Sequence, residues 1–157
     1  KKIDRDDPEI KLIEALLIKG DADSRQQAIN ATIVYFGIDI SHKGEFFYPV
    51  YDKSLDIYGF IDNGKIVLGK ESFSRGIGML GSTIFHEMVH IRQGWKGTGD
   101  FGHDQASIFE YFAFKAEISQ ANRFGLSSGE TQFLQSSMNN YCNSISSSGR
   151  RELNISC

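Results

Sequence analysis

The stretch STIFHEMVHIRQ, Ser82 to Gln93, places two of the chain's four histidines, His86 and His90, four residues apart with Glu87 between them. Residues i and i+4 share one face of an α-helix, so both imidazoles can aim at one point. Their neighbours Ile84, Phe85, Met88, Val89 and Ile91 are apolar, a setting in which an unpartnered imidazole is costly to bury. The pairing suits a divalent metal, and two imidazoles on one helix are a common half of a zinc site. Glu87 projects about a quarter-turn away, where its carboxylate can reach a water on the metal without ligating, as a general base must. The chemistry implied is metal-assisted hydrolysis, with Zn2+ as cofactor and Glu87 as the residue that moves the proton.

A catalytic zinc takes three protein ligands and keeps a fourth position open. Neither His42 nor His103 is spaced to extend the histidine pattern, so the third ligand is expected to be a carboxylate. Glu110 and Glu117 fall seven residues apart on one predicted helix and share a face. Glu110, in FEYFAF, is flanked by bulky apolar residues, where a carboxylate must be paired or ligating, and it is the expected ligand. Glu117, near Lys115 and Ser119, is the alternative ligand. It could equally be a solvated charge or an acceptor for a ligand histidine's second nitrogen.

These residues need elements to hold them. PEIKLIEALLIK predicts a helix begun at Pro8 and stopped by Gly20. A second helix runs through DADSRQQAINATIVYF with Asp23 or Ser24 as cap and Gly37 beyond its end. KGEFFYPVYD has no clean period and reads as a loop with a short extended piece. Asn63-Gly64 joins two apolar runs, a strong hairpin signal, with strands expected at Asp56–Asp62 and Lys65–Gly69. The motif helix is expected from Ser72 or Ser74 through Gln93, although Gly76, Gly78 and Gly81 lower its propensity and call for a packing reason or a frayed start. Asp104 should cap a third long helix ending at Gly125, and Ser127 or Ser128 a last one before a polar tail. The expected fold is α+β and mostly helical, a single minimal domain over residues 1–157 with a small hairpin or sheet beside the motif helix, the motif region spanning about 56–125.

The bulk properties exclude other classes. A chain of 157 residues fits one core, and a net charge of −3 with no basic stripe gives no footprint for nucleic acid. No apolar run approaches a membrane span. The opening Lys1-Lys2 without an initiator Met suggests a domain cut from a longer or processed precursor. Cys142 and Cys157 flank a Ser/Asn-rich tail. A disulfide between them would staple the tail to the preceding helix and favour an oxidising compartment, and two free thiols are the alternative.

HEMVH with a glutamate on a following helix resembles the gluzincin class of zinc metallopeptidases. EYFAF is similar to the third-ligand helix of the lethal-factor type, in which Glu is followed by two aromatics and Ala. The strand KIVLG just ahead of the motif helix looks like the zincin layout, in which an edge strand lines the cleft. The resemblance covers about Gly64 to Gly125, and implies His86, His90 and Glu110 as ligands and Glu87 as base. Thermolysin-like enzymes carry an Asp four residues after the ligand Glu, whereas Phe114 stands there, so the chain does not resemble that branch. A tyrosine seven residues before the ligand Glu serves the lethal-factor type as oxyanion donor. His103 holds the comparable place and is the implied catalytic donor, with Tyr111 and Tyr141 as further candidates. Small single-domain chains of this kind also look like metallopeptidase toxin domains of bacterial secreted effectors. That likeness implies a secreted or translocated protein, a protein or peptide substrate, and a cognate inhibitor or immunity protein as partner. Competing readings are an amidase or deacylase acting on a small substrate, and a non-catalytic zinc-stabilised binding domain.

Overall fold

Pro8 in the first turn and the Asp7 carboxylate, accepting from the Glu9 N–H at 3.0 Å, start α1 (Pro8–Lys19). The structure is a computed structural model that describes residues 3–95 and 104–157. Helix α2 (Ala22–Phe36) is capped by Asp21 rather than by Asp23 or Ser24, because the Asp21 carboxylate reaches the Ser24 N–H at 2.7 Å. The segment read as a loop contains more pairing than its pattern shows. Strands β1 (Ser41–His42) and β2 (Glu45–Phe46) form a tiny hairpin around Lys43 and Gly44, both at positive φ, and β3 (Val50–Tyr51) follows.

Asn63 and Gly64, at φ 49° and 78°, turn β4 (Gly59–Asp62) back onto β5 (Lys65–Leu68). The strands are shorter than expected because the chain bends at Ile57 and Tyr58, where the Gly69 N–H to Tyr58 carbonyl bond continues beyond the regular ladder. The three-stranded sheet has the order β3-β5-β4, with β3 parallel to β5. The KIVL strand is therefore central and not the edge. The cleft-facing edge is β4, since β3 occupies the other side of β5.

A 3-10 turn (Lys70–Phe73) and Gly76 at φ 91° separate the sheet from α3 (Ile77–Arg92), which carries the motif and begins later than Ser72 or Ser74. Its glycines have a packing cause. A Cβ on Gly78 would stand 2.5 Å from the Phe124 carbonyl oxygen, and one on Gly81 would stand 2.8 Å from the Phe36 ring. Leu80, Ile84 and Met88 are fully buried on α3, which packs on α1, α2, β4 and the next helix, α4 (Gln105–Ser119).

Helix α4 stops at Ser119 instead of continuing to Gly125. The intervening turns swing Phe124 into the core, where its ring meets Phe36 edge-on at 4.9 Å and Phe85 at 5.9 Å. Asp104 stands at the start of α4, but its carboxylate accepts from the Ser146 N–H at 2.9 Å instead of capping its own helix. Helix α5 (Ser128–Ser144) opens with a reciprocal capping box between Ser127 and Glu130. The tail is not wholly irregular, since α6 (Ser147–Glu152) forms within it. Cys142 and Cys157 are disulfide-bonded, which decides between the two alternatives left open above and pins the tail to the buried cluster of Tyr111, Cys142 and Ile145 between α4 and α5. The architecture is α+β and mostly helical, as expected.

Candidate metal centre

His86 and His90 point one nitrogen each at the same carboxylate. His86 Nε2 lies 3.3 Å from Glu110 Oε1, and His90 Nε2 contacts that same oxygen. The outer nitrogens are engaged elsewhere. His86 Nδ1 is 2.9 Å from Glu117 Oε1, and Glu117 is held in turn by the Ser82 hydroxyl. A carboxylate only accepts, so His86 Nδ1 donates to Glu117, and Nε2 is the nitrogen that can ligate a metal once it releases the proton it shares with Glu110. His90 Nδ1 is 2.8 Å from Gln93 Oε1, while Gln93 Nε2 donates to the Phe109 carbonyl at 2.9 Å, which sets the amide's orientation and makes Nδ1 the donor. Both rings thus turn Nε2 toward one point.

The donor set fits a metal ion on geometry. The ligand atoms of His86, His90 and Glu110 all lie within 4.8 Å of one another. Two ligands about 2.0–2.1 Å from a tetrahedral ion stand about 3.3 Å apart, the spacing found between His86 Nε2 and Glu110 Oε1. Glu87 supplies a second, independent sign. Its side chain is buried, and its Oε2 has no hydrogen-bond partner among the described residues. A buried carboxylate oxygen left open beside a cluster of donors is suited to a proton carried by a molecule held at that cluster.

The backbone above makes room for Glu87. Gly59 of β4 lies directly over it, so that a Cβ there would stand 3.1 Å from Glu87 Cγ. The two-residue turn puts the ladder bonds on Asp62 and Phe60, and the Gly69 N–H donates to the Tyr58 carbonyl at 2.9 Å. The N–H and C=O of Gly59 and Ile61 therefore face the open edge. Between this edge and the motif helix lies a cavity of about 410 Å³ that reaches all three donors and Glu87. Met79, Phe114, Phe133 and Leu134 supply its apolar walls.

Charges in the site are strongly coupled. Burial pushes the Glu87 carboxyl up to about 7, only partly offset by the two histidines. Burial acting alone would raise Glu110 as well, but hydrogen bonds from His86 and His90 outweigh it and hold that carboxyl at about 2. For His86 burial acts downward, and the bonds to Glu110 and Glu117 outweigh it and raise its pKa well above the usual value.

These shifts set how the metal-free protein responds to pH. Between pH 4.5 and about 7 the native Glu87 holds a proton that the unfolded chain has released, so stability falls as pH rises through that window. The raised His86 acts in the same direction above its unfolded value of 6.5. Chelator-treated protein should therefore melt at progressively lower temperature from pH 4.5 to 8. Glu87→Gln should remove the lower part of that slope, worth about 3 kcal/mol at most. A melting temperature that rises with pH over this range would show that Glu87 is not buried as described.

The structure brings together four of the residues singled out by sequence: His86, Glu87, His90 and Glu110. Glu117 is not a solvated charge. It is buried at 2% exposure and serves as the acceptor for His86. His103 lies outside the described residues. Tyr141, from α5, lies near enough to Glu110 that burial and that carboxylate raise its phenol above the usual value, and it stacks on Phe114, which itself meets the His86 ring at 4.5 Å. Tyr111 instead joins the buried cluster around the disulfide. Sequence reasoning assigned no role to Gln93, Ser82, Gly59 or Phe133. Gln93 and Ser82 had a readable signal, standing three residues after His90 and four before His86 on the motif face. Gly59 and Phe133 had none, because only tertiary packing brings them to the site.

Compared with protein-family models, curated protein sequences and solved structures, the chain matches none of them.

Proposed function

We propose that this protein is a zinc-dependent hydrolase of peptide bonds in protein or peptide substrates. The observation that carries the reading is the convergence of His86, His90 and Glu110 on one point beside a buried Glu87 with an open oxygen. Nitrogen and carboxylate donors suit zinc, and three of them leave one position for substrate. A zinc ion bound there supplies Lewis acidity and brings no redox chemistry of its own.

The chain's own residues do the rest. The open edge of β4 offers the N–H and C=O of Gly59 and Ile61 to an extended backbone, which favours a peptide over a small amide. Glu87 takes the proton of the attacking water and returns it to the leaving amine, and its Oε2, without a partner among the described residues, is open to that proton. Tyr141, whose phenol feels the Glu110 carboxylate, is the donor we assign to the oxyanion that develops on the substrate carbonyl. Glu117 and Gln93 hold the ligand rings in register. A structural zinc site would use a fourth protein donor, and the cluster contains three among the described residues. The disulfide is compatible with a secreted or translocated protein, in line with the effector resemblance.

Elemental analysis of purified protein, paired with cleavage of an unfolded protein substrate, tests this reading. One zinc per chain is expected, together with proteolysis that a chelator abolishes and added zinc restores. Failure to take up any metal on reconstitution, or activity indifferent to the chelator, would overturn it.

A further inference from the structure

The cleft does not run open along the whole of β4. At the upstream end of the strand the Tyr58 ring lies against Phe133 of α5, centroids 5.8 Å apart, so residues from the sheet side and the helix side bridge the cavity there. Arg75 lies over the same Phe133 ring, its guanidinium carbon 4.5 Å from the centroid. Among the described residues, Arg75 makes no ion pair and no hydrogen bond, and its side chain is exposed beside Phe133, which lines the cavity. An extended chain docked on β4 meets an aromatic wall at this end, with a free guanidinium beside it.

We propose that the site takes peptide C-termini, with the terminal carboxylate paired to Arg75 and a bulky apolar side chain in the recess walled by Met79, Phe133 and Leu134. This rests on the reading of the metal centre given above. A wall favours a chain end over a through-running strand. A guanidinium accepts a carboxylate and repels an ammonium, so the end is the C-terminus. Hydrolysis adds water across the amide: the acyl carbon gains the hydroxyl and becomes a carboxylate, the leaving nitrogen gains the proton, and a short C-terminal fragment departs.

The test uses zinc-loaded protein and two hydroxamate probes, malonyl-phenylalanine hydroxamates that differ only in ending as a free carboxylate or as a carboxamide. Calorimetry should show the free acid binding about tenfold tighter, the usual size of one hydrogen-bonded charge contact. Arg75→Gln, a change at an exposed side chain, should bring the acid down to the affinity of the carboxamide while the zinc content holds at one per chain. Equal binding of the two probes, or a preference that survives in Arg75→Gln, would overturn the proposal with the metal centre intact. If neither probe binds a chain that holds its zinc, the open metal position itself is lost, and both readings go with it.

Discussion

Glu87→Gln is expected to lower peptide hydrolysis by about three orders of magnitude while zinc stays at one per chain. Glutamine keeps the shape and volume of the side chain, so the packing against Gly59 is preserved and the fold has no reason to change. What is lost is the capacity to take a proton from water and return it to the amine. Glu87 is not among the three converging donors, so metal affinity should move little. Removing a charge that is costly to bury should also raise the melting temperature of the metal-free protein near neutral pH. The comparison of interest is rate against zinc content in the same preparation. A variant that keeps a tenth or more of the activity would mean that another group moves the proton.

The second large effect separates the two glutamates of α4. Glu110→Ala removes the oxygen on which both histidine Nε2 atoms converge, and one zinc per chain should fall to none after dialysis at neutral pH. Glu117→Ala leaves all three donors in place. It frees His86 to rotate and to change tautomer, which typically costs about 10- to 100-fold in metal affinity. That variant should still load fully at saturating zinc and then lose it faster to a competing chelator. Identical behaviour of the two variants would refute the division of labour between ligand and outer acceptor. The fully buried Glu117–Ser82 contact also predicts a cost in stability for Glu117→Ala, so metal content is to be read on the folded fraction.

The division between Glu110 and Glu117 was only partly legible in the sequence. Spacing put both on one face, and the apolar neighbours of Glu110 marked it as the residue needing a partner, yet nothing in the pattern said that Glu117 was buried. The motif helix, the Asn63-Gly64 hairpin and the Ser127 cap were readable because each rests on local chemistry within a few residues. The parallel pairing of β3 with β5 was not, since two-residue strands carry no period and their partner is set by how α2 packs behind them. The same holds for the aromatic bridge from Tyr58 to Phe133, whose members are 75 positions apart and meet only once α5 lies on α4. The early end of α4 has a similar origin, because Phe124 gains more from the core than five further helical residues gain from the helix.

Gly59 carries no functional group, yet it shares the fate of the residues that do. Every other amino acid would add an atom 3.0 Å from a Leu68 methyl and 3.1 Å from the Glu87 side chain. A side chain at this position would press on the carboxylate to which we assign the proton transfer, which would have to give by a few tenths of an ångström. The genetic footprint of the centre therefore extends onto a strand that contributes no ligand, no acid and no base. A screen for lost activity should find this position as readily as it finds the histidines.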